Sequence, residues 1–162
     1  MMNAADTART ALHADAETIL RGAIRAVLPD EAVRRALTDV QFPGRVFLVA
    51  AGKAAWQMAN VACKALPALA GGVVVTKYGH VKGEIDGVAC YEGAHPVPDE
   101  NGLRGTEAAL ALTGALRADD TVLFLLSGGG SALFEQPLLP LAELQDITHQ
   151  LLSAGADIVE IN

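Results

Sequence analysis

The chain predicts an α/β layered fold with a mainly parallel sheet, and three observations carry that reading. Short apolar runs rich in β-branched residues alternate with segments of helical period. The clearest run, Thr121–Leu126, is apolar throughout after Thr121, as a strand buried on both faces would be. Two of the runs end at glycine and pass straight into helical sequence, the kind of junction at which parallel sheets bind ligands.

The elements follow in order. Residues 6–27 are helical, with Leu12, Ala16, Leu20, Ala23 and Val27 at spacings of three and four. A short second helix opens at Pro29 or Asp30 and carries Ala32, Val33, Ala36 and Leu37. Both read as packing elements without chemistry and fill residues 1–44; residues 45–162 form the α/β core. Pro43 and Gly44 turn the chain into a strand over residues 46–50. Ala51, Gly52 and Lys53 follow, then a helix to Lys64 with Trp56, Ala59, Ala62 and Cys63 on its apolar side. Lys53 is expected in the first turn of that helix, where a cation opposes the dipole unless an anion neutralises it. Pro67 is expected to end this helix, and Gly71-Gly72 leads into a strand over residues 73–76.

A polar loop with Lys77, Tyr78, His80 and Lys82 precedes a short run over residues 88–91 and the segment EGAHPVPDENG, residues 92–102. A helix then starts at Pro98, Asp99 or Glu100 and runs through Leu116, with acids at its N-terminal end. Asp119-Asp120 closes it. His80 and His95 read as hydrogen-bonded loop residues, because they lack the partners and spacing of a zinc site. After the central strand come Ser127, Gly128, Gly129, Gly130 and Ser131, a loop whose amides no Cβ shields. A helix starting there would add its own free amides and dipole to an anion cradle. Residues 141–152 form a further helix. The apolar Ile158, Val159 and Ile161 then have nothing after them to cover them, which reads as a truncated chain with a second domain missing.

Composition narrows the function. Among 162 residues, 51% are apolar but only 4% aromatic, so Ala, Val and Leu must fill the core. The net charge of −7 argues against nucleic acid or an anionic membrane surface as partner. Cys63 and Cys90 are too few for a disulfide framework and read as buried thiols in a reducing cytoplasm. No metal site is expected from this chain's own residues.

Two nucleotide signatures fail. Gly52-Lys53 is no Walker A loop, because Phe47 stands where its first glycine belongs and Ala54 replaces Ser/Thr. Leu133 replaces the last small residue of a dinucleotide fingerprint, and neither Ser127 nor Ser131 lies in G-x-S-x-G. A lysine and a glycine-serine loop at strand ends remain, and that equipment suits phosphoryl transfer, where positioning and charge neutralisation do most of the work.

Five stretches, VAAGKAA, VVVTKYGH, EGAHPVPDENG, LFLLSGGGSAL and LLSAGADIVEIN, occur in the order and spacing of the glycerate 2-kinase family (MOFRL type, also labelled hydroxypyruvate reductase). The chain resembles the N-terminal domain of that family. The resemblance implies a Rossmann-like domain completed by a C-terminal domain absent here, with the active site between them. It implies transfer of phosphate from Mg-ATP to D-glycerate, giving 2-phosphoglycerate. Carried over by position, Lys53 is the catalytic charge clamp, and Ser127, Gly128, Gly129, Gly130 and Ser131 hold phosphate or substrate oxygens. His95 and Asp99 line the cleft, and the acids that hold Mg²⁺ belong to the continuation. The alternatives are an NAD(P)H-dependent hydroxypyruvate reductase and a non-catalytic module binding a sugar acid or phosphate. A homo-oligomer is left open.

Overall fold

The computed structural model describes residues 4–66 and 68–161. Four strands, β1 (Val46–Ala51), β2 (Gly71–Lys77), β3 (Val88–Gly93) and β4 (Thr121–Leu126), pair in the order β3-β2-β1-β4, every pairing parallel. Around them lie α1 (Ala4–Val27), α2 (Pro29–Leu37), α3 (Ala55–Ala65), α4 (Glu100–Thr113), α5 (Gly130–Leu133), α6 (Leu141–Ser153) and α7 (Ile158–Ile161). The α/β expectation holds.

Strand alternation sorts the core into two layers. Leu48 and Ala50 of β1 and Val74 of β2 point to the side of α2 and α3, where Val33, Ala55, Ala59 and Ala62 meet them. Val49, Val73 and Val75 point the other way, to Ala109 of α4. Alanines on α3 let the helix lie close to the sheet, which is how a core with few aromatics fills. β1 is buried along its whole length.

β4 corrects the reading of a strand buried on both faces. It lies at the sheet edge beside β1 alone and alternates, with Leu123 and Leu125 packed towards the α2/α3 layer. Val122, Phe124 and Leu126, on the α4 side, are 37%, 47% and 61% exposed. The apolar run is read as burial on both faces, but α4 lies over β2 and β3 and does not reach this edge. A latch holds β4 in register: the Arg45 Nε and Nη2 donate to Asp120 Oδ1 and Oδ2 at 2.9 and 2.6 Å. The guanidinium hydrogen bond is the main cause of an Asp120 pKa pulled down to about 2.

Other boundaries moved. α2 packs on α3, as expected of a packing element, whereas Leu12, Ile19, Leu20, Ile24 and Val27 of α1 are exposed. α4 stops at Thr113 with Gly114 as its cap, short of Leu116. α3 ends at Ala65, and Pro67 lies outside the described residues. No helix among the described residues is long and apolar enough to cross a membrane.

Candidate functional site

The strand order places a switch point between β1 and β4. The chain leaves β1 towards β2 and β3, then returns to the other side of β1 as β4. Ligands of such sheets sit outside the carboxyl ends of the two strands that flank this reversal. Ala51 and Leu126, the last residues of β1 and β4, are register partners. The Gly52-Lys53 hinge and the Ser127–Ser131 loop therefore leave the sheet side by side.

The two are tied together. The Lys53 amide donates to the Gly128 carbonyl at 3.0 Å, and the Ala54 amide to Ser127 Oγ at 3.0 Å. Ser127 Oγ also donates to the Ala51 carbonyl at 3.3 Å. Gly52 has φ of +109°, and a Cβ there would lie 2.4 Å from the Ser127 carbonyl oxygen, so only glycine fits. The Gly52 amide donates to Val75 O, and its carbonyl accepts from the buried Thr76 hydroxyl at 2.9 Å. The Lys53 carbonyl accepts from His80 Nδ1 at 2.7 Å. Every backbone polar group from the Gly52 amide to the Ala54 amide is thus engaged. This hinge offers a ligand one thing, the lysine side chain.

Lys53 is not in the first turn of a helix, as the sequence suggested. α3 begins at Ala55 with Ala54 as its cap, so Lys53 sits in the tight turn before it and is exposed. Its side chain reaches towards Gly129, and its carbonyl is turned to His80.

The glycine loop is different. The amides of Gly128 and Gly129 donate to no group among the described residues. Gly129 has φ of +82°, and a Cβ on it would lie 2.8 Å from His95 Nε2 and 2.9 Å from Lys53 Cε. Those two distances put the lysine and the imidazole together against the same face of Gly129. Gly128 has no left-handed φ, and a Cβ there would meet nothing within 4 Å. The fold does not require glycine at 128, although glycine weakens the loop by leaving it more freedom to lose. α5 is one short turn, so little dipole accompanies the loop, contrary to the sequence expectation.

His95, on the connection from β3 to α4, is held neutral more readily than a free histidine. Burial is the main cause of its lowered pKa, followed by the charges of Lys53 and Lys77. Behind it a cavity of about 190 Å³ is lined by His95, Pro96, Ser131, Glu135 and Thr148, among others. Burial there pushes the Glu135 carboxyl up. Asp99 caps α4, with Oδ1 accepting from the Gly102 amide at 3.0 Å, and Oδ2 accepts from the Tyr78 hydroxyl at 2.6 Å. Burial opposes its ionisation, but those bonds and the Ala94 and Asn101 amides outweigh it and lower its pKa. Asp99 braces the loop that carries His95. A wider groove of about 820 Å³, along Gly83, Glu84, Asp86 and Val88, carries acids and shares none of these residues.

The structure therefore brings Lys53, Gly128, Gly129 and His95 together, sets Ser131 beside His95 on the cavity side, and engages Ser127 and Asp99 in internal bonds. Lys77 and His80 were absent from the sequence-based site. Their only signal was the run of basic loop residues after β2, which nothing local connects to Lys53.

Residues 15–162 match the family described as "Domain of unknown function (DUF4147)". The chain belongs to that family. This DUF4147 chain is 52% identical over 147 residues to a D-glycerate 2-kinase of Thermotoga maritima, covering 89% of the chain and 35% of the relative. It is 42% identical over 126 residues to a glycerate 2-kinase of Pyrococcus horikoshii, covering 76% of the chain and 28% of the relative. The crystal structure of the Thermotoga maritima glycerate kinase superposes with a TM-score of 0.81 at 50% identity, over 94% of this chain and 37% of that one. The DUF4147 chain thus spans about a third of the length of these relatives.

Proposed function

We propose that the chain is the N-terminal, anion-holding part of an ATP-dependent D-glycerate 2-kinase, found in the cytoplasm and completed by a further domain. One observation carries the reading. Lys53 and His95 lie together against Gly129, whose amide and that of Gly128 are unpartnered among the described residues, at the switch point of a parallel sheet. The names of the relatives support the substrate class. In the reaction, the 2-hydroxyl oxygen of D-glycerate bonds to the γ-phosphorus of ATP, the bond from that phosphorus to the β–γ bridging oxygen breaks, and ADP leaves. The hydroxyl gives up its proton to bulk water.

Lys53 acts as the catalytic charge clamp, neutralising charge on the transferred phosphoryl group or the glycerate carboxylate. Gly128 and Gly129 donate amide hydrogen bonds to the same oxygens, Gly130 keeps the turn tight, and Ser131 adds a hydroxyl. Ser127 serves by tying the two strand ends together. His95 lines the cleft, and Asp99 fixes its loop. Among the described residues no group of three or more His, Cys, Asp or Glu is placed to hold a metal ion. These residues do not fit a magnesium site of their own, and the acids for Mg²⁺ belong to the completing domain.

The test is to follow ATP consumption and nicotinamide absorbance side by side, with D-glycerate and with hydroxypyruvate, in the protein that carries this chain. The kinase reading expects glycerate-dependent ADP formation and no nicotinamide change. Nicotinamide oxidation with hydroxypyruvate would replace it by a reductase, and glycerate binding without turnover would replace it by a binding module.

A further inference from the structure

A strap crosses the candidate site that the anion-holding residues alone do not explain. After β2 the chain turns tightly, with the His80 amide donating to Lys77 O, and then runs over the β1–α3 hinge. It is fastened on three sides. The Tyr78 amide donates to Gly93 O, the Val81 amide to Glu92 Oε1 at 2.8 Å, and the Trp56 indole to Gly83 O at 2.9 Å. The Tyr78 hydroxyl bonds Asp99 and accepts from Asn101 Nδ2 at 2.7 Å. A strap held this way sets its side chains rigidly, and one of them, His80, reaches the backbone of Lys53.

We propose that His80 is a positioning residue for Lys53: its Nδ1–H grips the Lys53 carbonyl and so aims the ammonium at the glycine loop. The proposal rests on the anion-site reading above. Among the described residues, the peptide plane that carries the Lys53 carbonyl is otherwise held only at its far edge, where the Ala54 amide donates to Ser127 Oγ. One bond on one side leaves the peptide plane free to rock, and a rocking peptide swings a four-carbon side chain through several ångströms. The second bond, from His80 to the carbonyl, closes that freedom. A carbonyl oxygen can only accept, so Nδ1 must carry the proton. His80 is therefore the Nδ1–H tautomer when neutral, and it keeps the same donor when it is protonated.

The first measurement needs no variant. Ring ¹⁵N shifts of His80 in the labelled chain, at a pH where imidazoles are neutral, should show a protonated Nδ1 and a bare Nε2. The opposite tautomer would overturn the proposal. The second compares acylation of Lys53 by acetic anhydride, followed by mass spectrometry, with and without inorganic phosphate. His80→Asn places an amide nitrogen where Nδ1 stands and should protect Lys53 as the parent chain does. His80→Ala and His80→Gln should need roughly tenfold more phosphate for equal protection. If phosphate protects Lys53 in no chain, the anion reading fails, and the acylation rate without phosphate decides for His80. Rates shared by parent and Asn but altered in Ala and Gln would uphold it. One rate in all four chains, or equal protection in all four, would overturn it.

Discussion

The β1–α3 hinge and the β4–α5 loop leave adjacent strands at the same level, yet they are built on opposite plans. At the hinge each backbone polar group from the Gly52 amide to the Ala54 amide has a partner inside the protein. In the loop, the Gly128 and Gly129 amides have none among the described residues. A saturated backbone is rigid and can present a charged side chain at a fixed place. Surface amides without a protein partner bond to water and can exchange it for the oxygens of a ligand. Under the proposed function this is a division of labour, in which one turn would supply the ammonium and the other the hydrogen-bond donors.

The sharpest way to break the rigid half is Gly52→Ala. Its Cβ would collide with the Ser127 carbonyl and the Ser127 hydroxyl at a backbone angle that alanine avoids. We expect a stability loss of roughly 2–4 kcal/mol in urea unfolding. A loss below about 0.5 kcal/mol would mean the two turns are not clasped. Lys53→Ala should leave stability nearly unchanged, because the side chain is exposed. It should lower phosphate affinity by calorimetry, and turnover in the full enzyme, by at least about tenfold, or ~1.4 kcal/mol. Unchanged values would return Lys53 to an ordinary solvated surface residue.

Gly128→Ala separates the two halves in the other direction. A Cβ there meets no protein atom, so stability should hold or rise by up to about 1 kcal/mol while phosphate affinity falls. Equal affinity would show that nothing docks on that amide. The smallest effect concerns His95. An anion beside it favours the imidazolium, so sulfate should raise its depressed pKa, and sulfate affinity should grow as pH falls below the ordinary value of 6.5. Sulfate keeps its charge in that range. Without an anion the same group lowers fold stability on acidification, since the unfolded imidazole takes its proton first, near 6.5, and the folded one only lower. An NMR titration of His95 with and without sulfate checks both signs, and a pKa that ignores sulfate would place His95 away from the anion.

Much of this was legible in the residues. The apolar run of β4, the glycines after it and the lysine after β1 announce a parallel sheet and a candidate site at its strand ends through local chemistry alone. What was hidden is long-range. Nothing near Thr121 tells that β4 lies at the edge, because exposure of Phe124 and Leu126 depends on how far α4 extends over the sheet. Lys53 looked helical because Ala54 and Ala55 are good helix formers, yet the clasp to Ser127 and Gly128 holds the turn out of the helix. Ser127 looked like a free hydroxyl until its partner, Ala54, proved to be 73 residues away in sequence. The contact of His80 with Lys53 likewise spans 27 residues.

Amide ¹H–¹⁵N shifts of the chain during titration with inorganic phosphate test the division of labour most directly. The account predicts that Gly128 and Gly129 move downfield together, saturating at one concentration, while Gly52, Lys53 and Ala54 stay in place. Shifts confined to the hinge amides, or no shift at either glycine at concentrations that protect Lys53 from acylation, would contradict it.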